Sequence, residues 1–318
     1  MTTGDANTLS AASGKQETKQ SHTKPLRQRI WDHRMEYLLI SPFFIIYGIF
    51  HFYPLMWALW LSLHRWQGVG EMRWFGLRNY ERLLTNAKTL NALSNSLIFL
   101  VILLPTIVFL TLLIASMLNS PQVRGRTVFR MLFFLPYITS LVIVVIIFQL
   151  LLQENFGWVN GILEGIGLPR VRWFSEVWPA RSMVMIMVFW SVAGYNVLIM
   201  LGGLQGIPND MYDAASIDGA GTVRKFLHIT VPMMRGVILF VSITSTILLL
   251  NLFLQPWLLF PGTYGAGPQQ GVATLNTIQY ATAFSYARYG ESAALGFLIG
   301  ILVIGVSLIQ FRLAKSES

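Results

Sequence analysis

Long stretches of this chain hold no Asp, Glu, Lys or Arg at all, among them 37–63, 92–121, 131–153 and 236–287. A helix that crosses a bilayer needs about 20 mainly apolar residues, and each stretch is long enough. Charged residues make up only 12% of the sequence, against roughly 25% for a typical soluble domain. A water-soluble globule is therefore excluded, and spans rather than domains are the unit to count.

Six spans emerge, at about 37–63, 92–118, 131–152, 182–203, 236–259 and 289–311. Inside a bilayer every backbone amide must be satisfied within its own segment, which leaves helix as the state for runs that do not alternate in polarity. The expected fold class is thus an all-α integral membrane protein with six transmembrane helices. The first apolar run has 27 residues, too long for a signal-peptide core, and reads as a retained span. Residues 1–24 are polar and rich in Ser and Thr, and are expected to be disordered. The expected organisation is a cytoplasmic N-terminal segment 1–36, a membrane domain 37–311 and a short tail 312–318.

An even span number puts both termini on one side. Placing the N-terminus inside assigns 14 of the 23 Lys and Arg to the inner segments and nine to outer segments of nearly equal length. Cytoplasmic loops carry the excess of Lys and Arg, so both termini are expected in the cytoplasm. The exception is segment 64–91, which carries Arg65, Arg73, Arg78, Arg82 and Lys88 on the outer side. The net charge of +9 is shared out between apolar spans, so lipid headgroups and orientation explain it better than nucleic acid does. There is no cysteine, which removes disulfides, thiolate metal sites and cysteine nucleophiles. His22, His33, His64 and His228 show no metal-ligand spacing, and His51 reads as a packed or interfacial residue.

Segment 204–235 differs from every other loop. It is long, mixed in charge, and reads as two short helices. Pro208 suits a first turn, and Asp210 and Asp213 follow it, where carboxylates favour the positive helix end. Gly219 and Gly221 supply a stop, Thr222 can cap a second helix running through Arg224 to Thr230, and Pro232 closes it. The first helix has about 10 residues, roughly 15 Å, with the small residues Ala214 and Ala215 at its middle. Such a unit is either a knob that a partner grips or a capped connector packed on its own protein.

The residues Tyr212-Asp213-Ala214-Ala215, Asp218-Gly219-Ala220, Ile229 and Pro232 resemble the EAA loop of bacterial ABC importer permeases, with Asp213 in place of the family Glu. The likeness extends over residues 36–313. Phe134-Leu135-Pro136, Gly157-Trp158-Val159-Asn160-Gly161, Gly265-Ala266-Gly267-Pro268, Gly290-Glu291-Ser292-Ala293-Ala294 and Ile309-Gln310-Phe311-Arg312 are similar to the sugar-uptake branch of that family. The resemblance implies a type I ABC importer permease fold in a bacterial cytoplasmic (inner) membrane, with 204–235 on the cytoplasmic side. It implies that Tyr212, Asp213, Ala214, Ala215, Asp218, Gly219 and Ala220 form a coupling helix docked on a separate ATPase. The implied partners are a second permease subunit, an ATPase dimer, a solute-binding protein, a sugar substrate and the lipid bilayer. No cofactor is expected in this chain; ATP-Mg would belong to the partner ATPase. Gly14-Lys15 is the only Gly-Lys pair and is followed by Gln16, so no phosphate-cradling loop is present and no enzyme activity is expected.

Polar side chains in spans are few and mark candidate pathway positions. Trp190, Tyr195, Asn196, Ser245 and Asn251 are singled out, Tyr195 and Ser245 because they fall where maltose-type permeases have pathway contacts. Hydrogen bonding between helices is the plainer role for such residues. Three other functions compete. An ion-coupled secondary transporter would carry ionisable groups in its spans, and an intramembrane enzyme would need an acid, base or metal cluster there; the spans offer only lone His51 and edge-placed Glu291. A non-transporting scaffold would have no need of the EAA-type loop.

Overall fold

The computed structural model describes residues 31, 33–120 and 123–316. The segment expected to be disordered, 1–24, lies outside the described residues, as do the last two residues of the expected tail. The chain divides after Leu55 into two compact units.

The division falls within the first long helix, α1 (Arg34–Ser62). In the first unit this helix carries Pro42 and Pro54. A proline in a helix removes one backbone donor and pushes on the preceding turn. Just ahead of Pro54 the backbone opens into a π-turn over Gly48–Phe52, closed by Tyr53 N–H donating to the Gly48 carbonyl. The wider turn shifts the hydrogen-bond register where proline has no amide to give. His51 stacks parallel on Tyr47 at 5.3 Å, a packing role on the helix's own face.

In the second unit a short antiparallel hairpin follows, β1 (His64–Arg65) on β2 (Arg73–Trp74), which hydropathy patterning did not anticipate. Then come α2 (Arg78–Thr85), α3 (Ala87–Asn119), α4 (Arg126–Ile138), α5 (Leu141–Leu151), α6 (Trp158–Gly165) and α7 (Val177–Leu204). They are followed by α8 (Asn209–Ile217), α9 (Thr222–Lys225), α10 (Arg235–Leu250), α11 (Leu254–Leu259), α12 (Leu275–Tyr280) and α13 (Tyr289–Ser316). Among the described residues five helical segments are long and apolar enough to cross a membrane, and the bent pair α4 and α5, taken as one span, makes a sixth.

That sixth span corrects the expectation of one helix over 131–152. α4 and α5 meet at a bend of 96°. Thr139 and Ser140 between them are extended, at φ −76° with ψ 138° and φ −56° with ψ 125°. Hydropathy reads straight through this break, because the run stays free of charge on both sides of it. The expected span 236–259 is interrupted at Asn251–Phe253, between α10 and α11; elsewhere most helices overrun their apolar windows by a few residues, and α13 continues into the expected tail.

Helix α7 is the central element, packed by α3, α4 and α10. Phe99, Leu103 and Ile107 of α3 interlock with Met183, Val184, Met187 and Val188 of α7 and with Leu249 and Leu250 of α10. A second cluster (Leu112, Ala115, Met200, Leu201, Leu204, Met234) lies toward the 204–235 loop. Among lipid-immersed helices, apolar burial gives little drive and close van der Waals contact decides the fit. Gly194 shows this. A Cβ there would stand 1.7 Å from the Phe133 carbonyl oxygen, so only glycine lets α4 lie against α7.

The loop from α11 to α13 is held from outside itself. Asn95, fully buried, donates through Nδ2 to the carbonyls of Gln270 (2.8 Å) and Ala273 (3.0 Å). Its Oδ1 accepts from Arg181 (2.7 Å), whose Nε donates to the Gly271 carbonyl (2.8 Å). Asn91 adds a second bond to Gln270, and Ser96 receives the Leu275 amide. Gln269 and Gln270 take left-handed conformations at φ 49° and 58°, a strain these bonds sustain.

Candidate functional site

The 204–235 loop folds as a self-contained unit. Helix α8 spans nine residues with Pro208 at its N-cap and Asp210 in its first turn. Asp218 is the C-cap and Gly219 follows at φ +72°. Gly219 N–H donates to the Ser216 carbonyl (3.1 Å) and Ala220 N–H to the Ala215 carbonyl (2.8 Å). These are the paired bonds of a Schellman stop, which needs the left-handed residue that glycine supplies. Gly221 does not end the helix but caps the next one, at φ −70° and ψ 168°. Thr222 is the first residue of α9, with no side-chain cap bond, which corrects the reading of Thr222 as the cap.

Pro232 also acts differently from the expectation. α9 continues through a π-turn, Phe226–Thr230, and the helix passes over Pro232 to Met233. Val231 N–H reaches back to Phe226, so the missing proline amide falls where the register is already shifted. The same device stands ahead of Pro54.

One face of the unit is anchored and the other is free. The Tyr212 hydroxyl meets the Thr230 hydroxyl at 2.9 Å, and Tyr212, Phe226 and Ile229 pack on the second core cluster. Asp213, Ala214, Asp218 and Gly219 are exposed, while Ala215 and Ala220 are half-buried. Cavities lie on both sides of α8. One of about 660 Å³ reaches from Asp213 and Lys225 to Ser116 and Asn119 at the end of α3. The other, about 200 Å³, lies between Asp218 and Arg224. The anchored face fits a connector packed on its own protein, and the opposite face of α8 is left uncovered.

The pathway candidates separate in a similar way. Trp190 and Tyr195 on α7 are exposed, at 39% and 36%. Tyr195 stacks on Tyr137 of α4 with ring centres 4.8 Å apart and planes 14° apart. Asn251 is exposed at the end of α10, where its Nδ2 donates to the Ile247 carbonyl. Asn196 and Ser245 are buried, at 4% and 5% exposure, and present no surface to a solute in this conformation. One residue of helix turns a side chain by about 100°, so Asn196 points inward where Tyr195 points out. The sequence reading missed Tyr137. Its position directly after Pro136, at the end of the helix before the bend, was the available signal.

Residues 82–316 match the family described as binding-protein-dependent transport system inner membrane component. The chain belongs to this family of permease subunits. The permease is 33% identical to the lactose transport system permease protein LacF of Rhizobium radiobacter, over 88% of this chain and 94% of that protein. It is 33% identical to the arabinooligosaccharides transport system permease protein AraP of Bacillus subtilis (strain 168), over 88% of each. The permease also shares its fold with the crystal structure of a bacterial ABC transporter involved in the import of the acidic polysaccharide alginate. The TM-score is 0.79, with 23% identity over 92% of this chain and 98% of that one. The expected fold class, six-span helical membrane permease, is therefore the observed one, with one span bent.

Proposed function

We propose that this permease forms half of the translocation pathway of an ATP-driven importer for a sugar or related small polar solute. A solute-binding protein would deliver the solute from outside, and a second permease subunit would complete the pathway. Energy would enter through α8, docked on one subunit of a separate ATPase pair that holds ATP-Mg. On this reading the chain hydrolyses no ATP itself, and both termini and the 204–235 loop face the cytoplasm.

The observation that carries the proposal is the split character of the loop. A helix closed by its own Schellman bonds, tied to the core through Tyr212 and exposed at Asp213, Ala214, Asp218 and Gly219, can transmit a pull as a rigid lever. The sugar class is supported by the substrates in the relatives' names, lactose and arabinooligosaccharides, and by the aromatic stack of Tyr137 on Tyr195. Aromatic faces suit the apolar faces of sugar rings, and neutral spans suit an uncharged cargo. Asn196 and Ser245 would support that surface from behind.

The test is reconstitution of the permease with its companion permease and ATPase in proteoliposomes, with solute uptake and binding-protein-stimulated ATP hydrolysis as readouts. Gly219→Pro cannot adopt φ +72° and loses the amide bonded to Ser216. It is expected to reduce stimulated hydrolysis more than about tenfold while the protein still inserts and assembles. Wild-type coupling in that variant would overturn the lever.

A further inference from the structure

The cations of segment 64–91 remain without a role in this reading. Five Lys and Arg stand there against Glu71 and Glu81, on the side where positive charge is normally scarce. The segment lies at the membrane face opposite the 204–235 loop, since α3 starts beside it and ends at the cavity under α8. The fold gathers part of this charge at one place. Arg65 from β1, Arg82 from α2 and Arg288 just ahead of α13 line a single cavity of about 170 Å³. The one carboxylate in its wall is Glu291, 3.6 Å from Arg288. Three guanidinium groups against one carboxylate leave the cavity open to a further anion.

The walls are fixed from three directions. Asn79, 3% exposed, uses Nδ2 to hold the carbonyls of Ser62 (2.7 Å) and His64 (2.9 Å). Tyr289 N–H donates to the Trp66 carbonyl at 3.2 Å. Gly290 lies so near the His64 carbonyl that a Cβ would stand 1.9 Å from it. Ala287, directly before Arg288, is held at φ +52°, a conformation residues other than glycine adopt only where surroundings impose it. The hairpin, α2 and the start of α13 are thereby locked together with their arginines facing one space.

We propose that this arginine pocket is a docking point for a surface carboxylate of the solute-binding protein. The inference rests on the importer reading above. Small-molecule sites occupy roughly 300–1,000 Å³, so this cavity suits one side-chain head better than a sugar. Guanidinium groups bind carboxylates in a paired, directional manner. Arg288 keeps 60% of its side chain exposed and is open to an approaching partner. Charge of this kind at a rim mainly speeds encounter and fixes register.

The experiment uses the full importer assembly in lipid nanodiscs and its purified cognate solute-binding protein, with affinity measured by biolayer interferometry across salt concentrations. The combined variant Arg65→Gln, Arg82→Gln, Arg288→Gln is expected to weaken binding about tenfold at low salt. The gap should close to within about twofold near 0.5 M salt, where charges are screened over a few ångströms. Arg73→Gln, in the same segment but outside the cavity, should bind as wild type does. Replacing the three arginines by lysine keeps the charge but loses the paired geometry, and should restore part of the affinity, which a folding defect would not allow. Equal affinity of the glutamine variant and wild type at low salt overturns the proposal. Unchanged binding-protein affinity with selective loss of uptake of an anionic solute overturns it too, and assigns the pocket to the solute. A wild-type assembly that neither binds nor responds to any binding protein instead overturns the importer reading itself.

Discussion

The 204–235 loop and the loop between α11 and α13 both join two spans, yet their backbones are satisfied in opposite ways. The first closes its bonds locally: Ser216, Ala215 and Ala214 receive the amides of Gly219, Ala220 and Asp218. Nothing lies within 4 Å of where a Cβ would be placed on Gly219. The second is bonded by side chains from far away, Asn91 and Asn95 on α3 and Arg181 on α7. A locally closed unit keeps its shape when its surroundings move. A loop bonded by distant helices keeps its shape only while those helices stay together. The first design suits a lever and the second a fixed rim.

The strongest way to break this comparison is Asn95→Leu. It removes two donated bonds to the Gln270 and Ala273 carbonyls and strands Arg181 without its Oδ1 partner. Loss of a fully buried polar hub of this kind should cost about 3 kcal/mol, read as a fall in thermal midpoint of the detergent-solubilised protein. Hydrogen exchange should rise at 268–275 and stay unchanged at 209–220. Equal exchange in both loops would show that the two are not independent.

Gly219→Ala probes the other loop. Holding a residue with a Cβ at φ +72° costs about 1–2 kcal/mol. The global midpoint should barely move, because α8 is a surface unit. Stimulated ATP hydrolysis should fall about threefold, as frayed ends of α8 transmit less. A large fall in global stability with intact coupling would mean that the loop supports the core and does not serve as a lever. Tyr212→Phe is gentler still. It removes one hydroxyl contact with Thr230 and keeps the ring in the core, for a cost of about 1 kcal/mol. Its expected signature is a lower ratio of transport to ATP hydrolysis, with little change in either midpoint or insertion.

These residues also mark what could be read from the chain beforehand. Span positions were legible because charge is absent from them, and the Gly219 stop was legible because a left-handed residue after a small-residue helix has few chemical solutions. The bend at Thr139 and Ser140 was not, since an apolar run keeps its hydropathy on both sides of a break. Local rules make Pro232 a terminator, and the π-turn that lets the helix pass is a backbone register shift with no residue signature. The clamp on Gln270 was hidden for another reason. Asn95 and Gln270 stand 175 residues apart, and only the packing of α3 against its neighbours brings them together. Tyr137 became visible as a candidate only through its stack on Tyr195, a contact between two helices.

The smallest expected effect concerns a third kind of connection, the exposed turn after α6. Arg170 binds Glu164 there with both guanidinium arms, one from Nη2 to Oε2 at 2.9 Å. That hydrogen bonding holds the Glu164 carboxyl below its ordinary value of 4.5. A depressed carboxyl pKa means the folded turn favours the ionised form, so its stabilising contribution is present above pH 4.5 and is lost as pH falls through the lowered value. Both side chains are about half exposed, so solvent and salt screen the pair and the effect stays local. Comparing wild type with Arg170→Gln by hydrogen exchange at 164–170 should show slower exchange in wild type at neutral pH. The two curves should converge in acid and in high salt. A difference that persists in acid would mean the turn is ordered by the packing of the Arg170 side-chain stem and not by its charge.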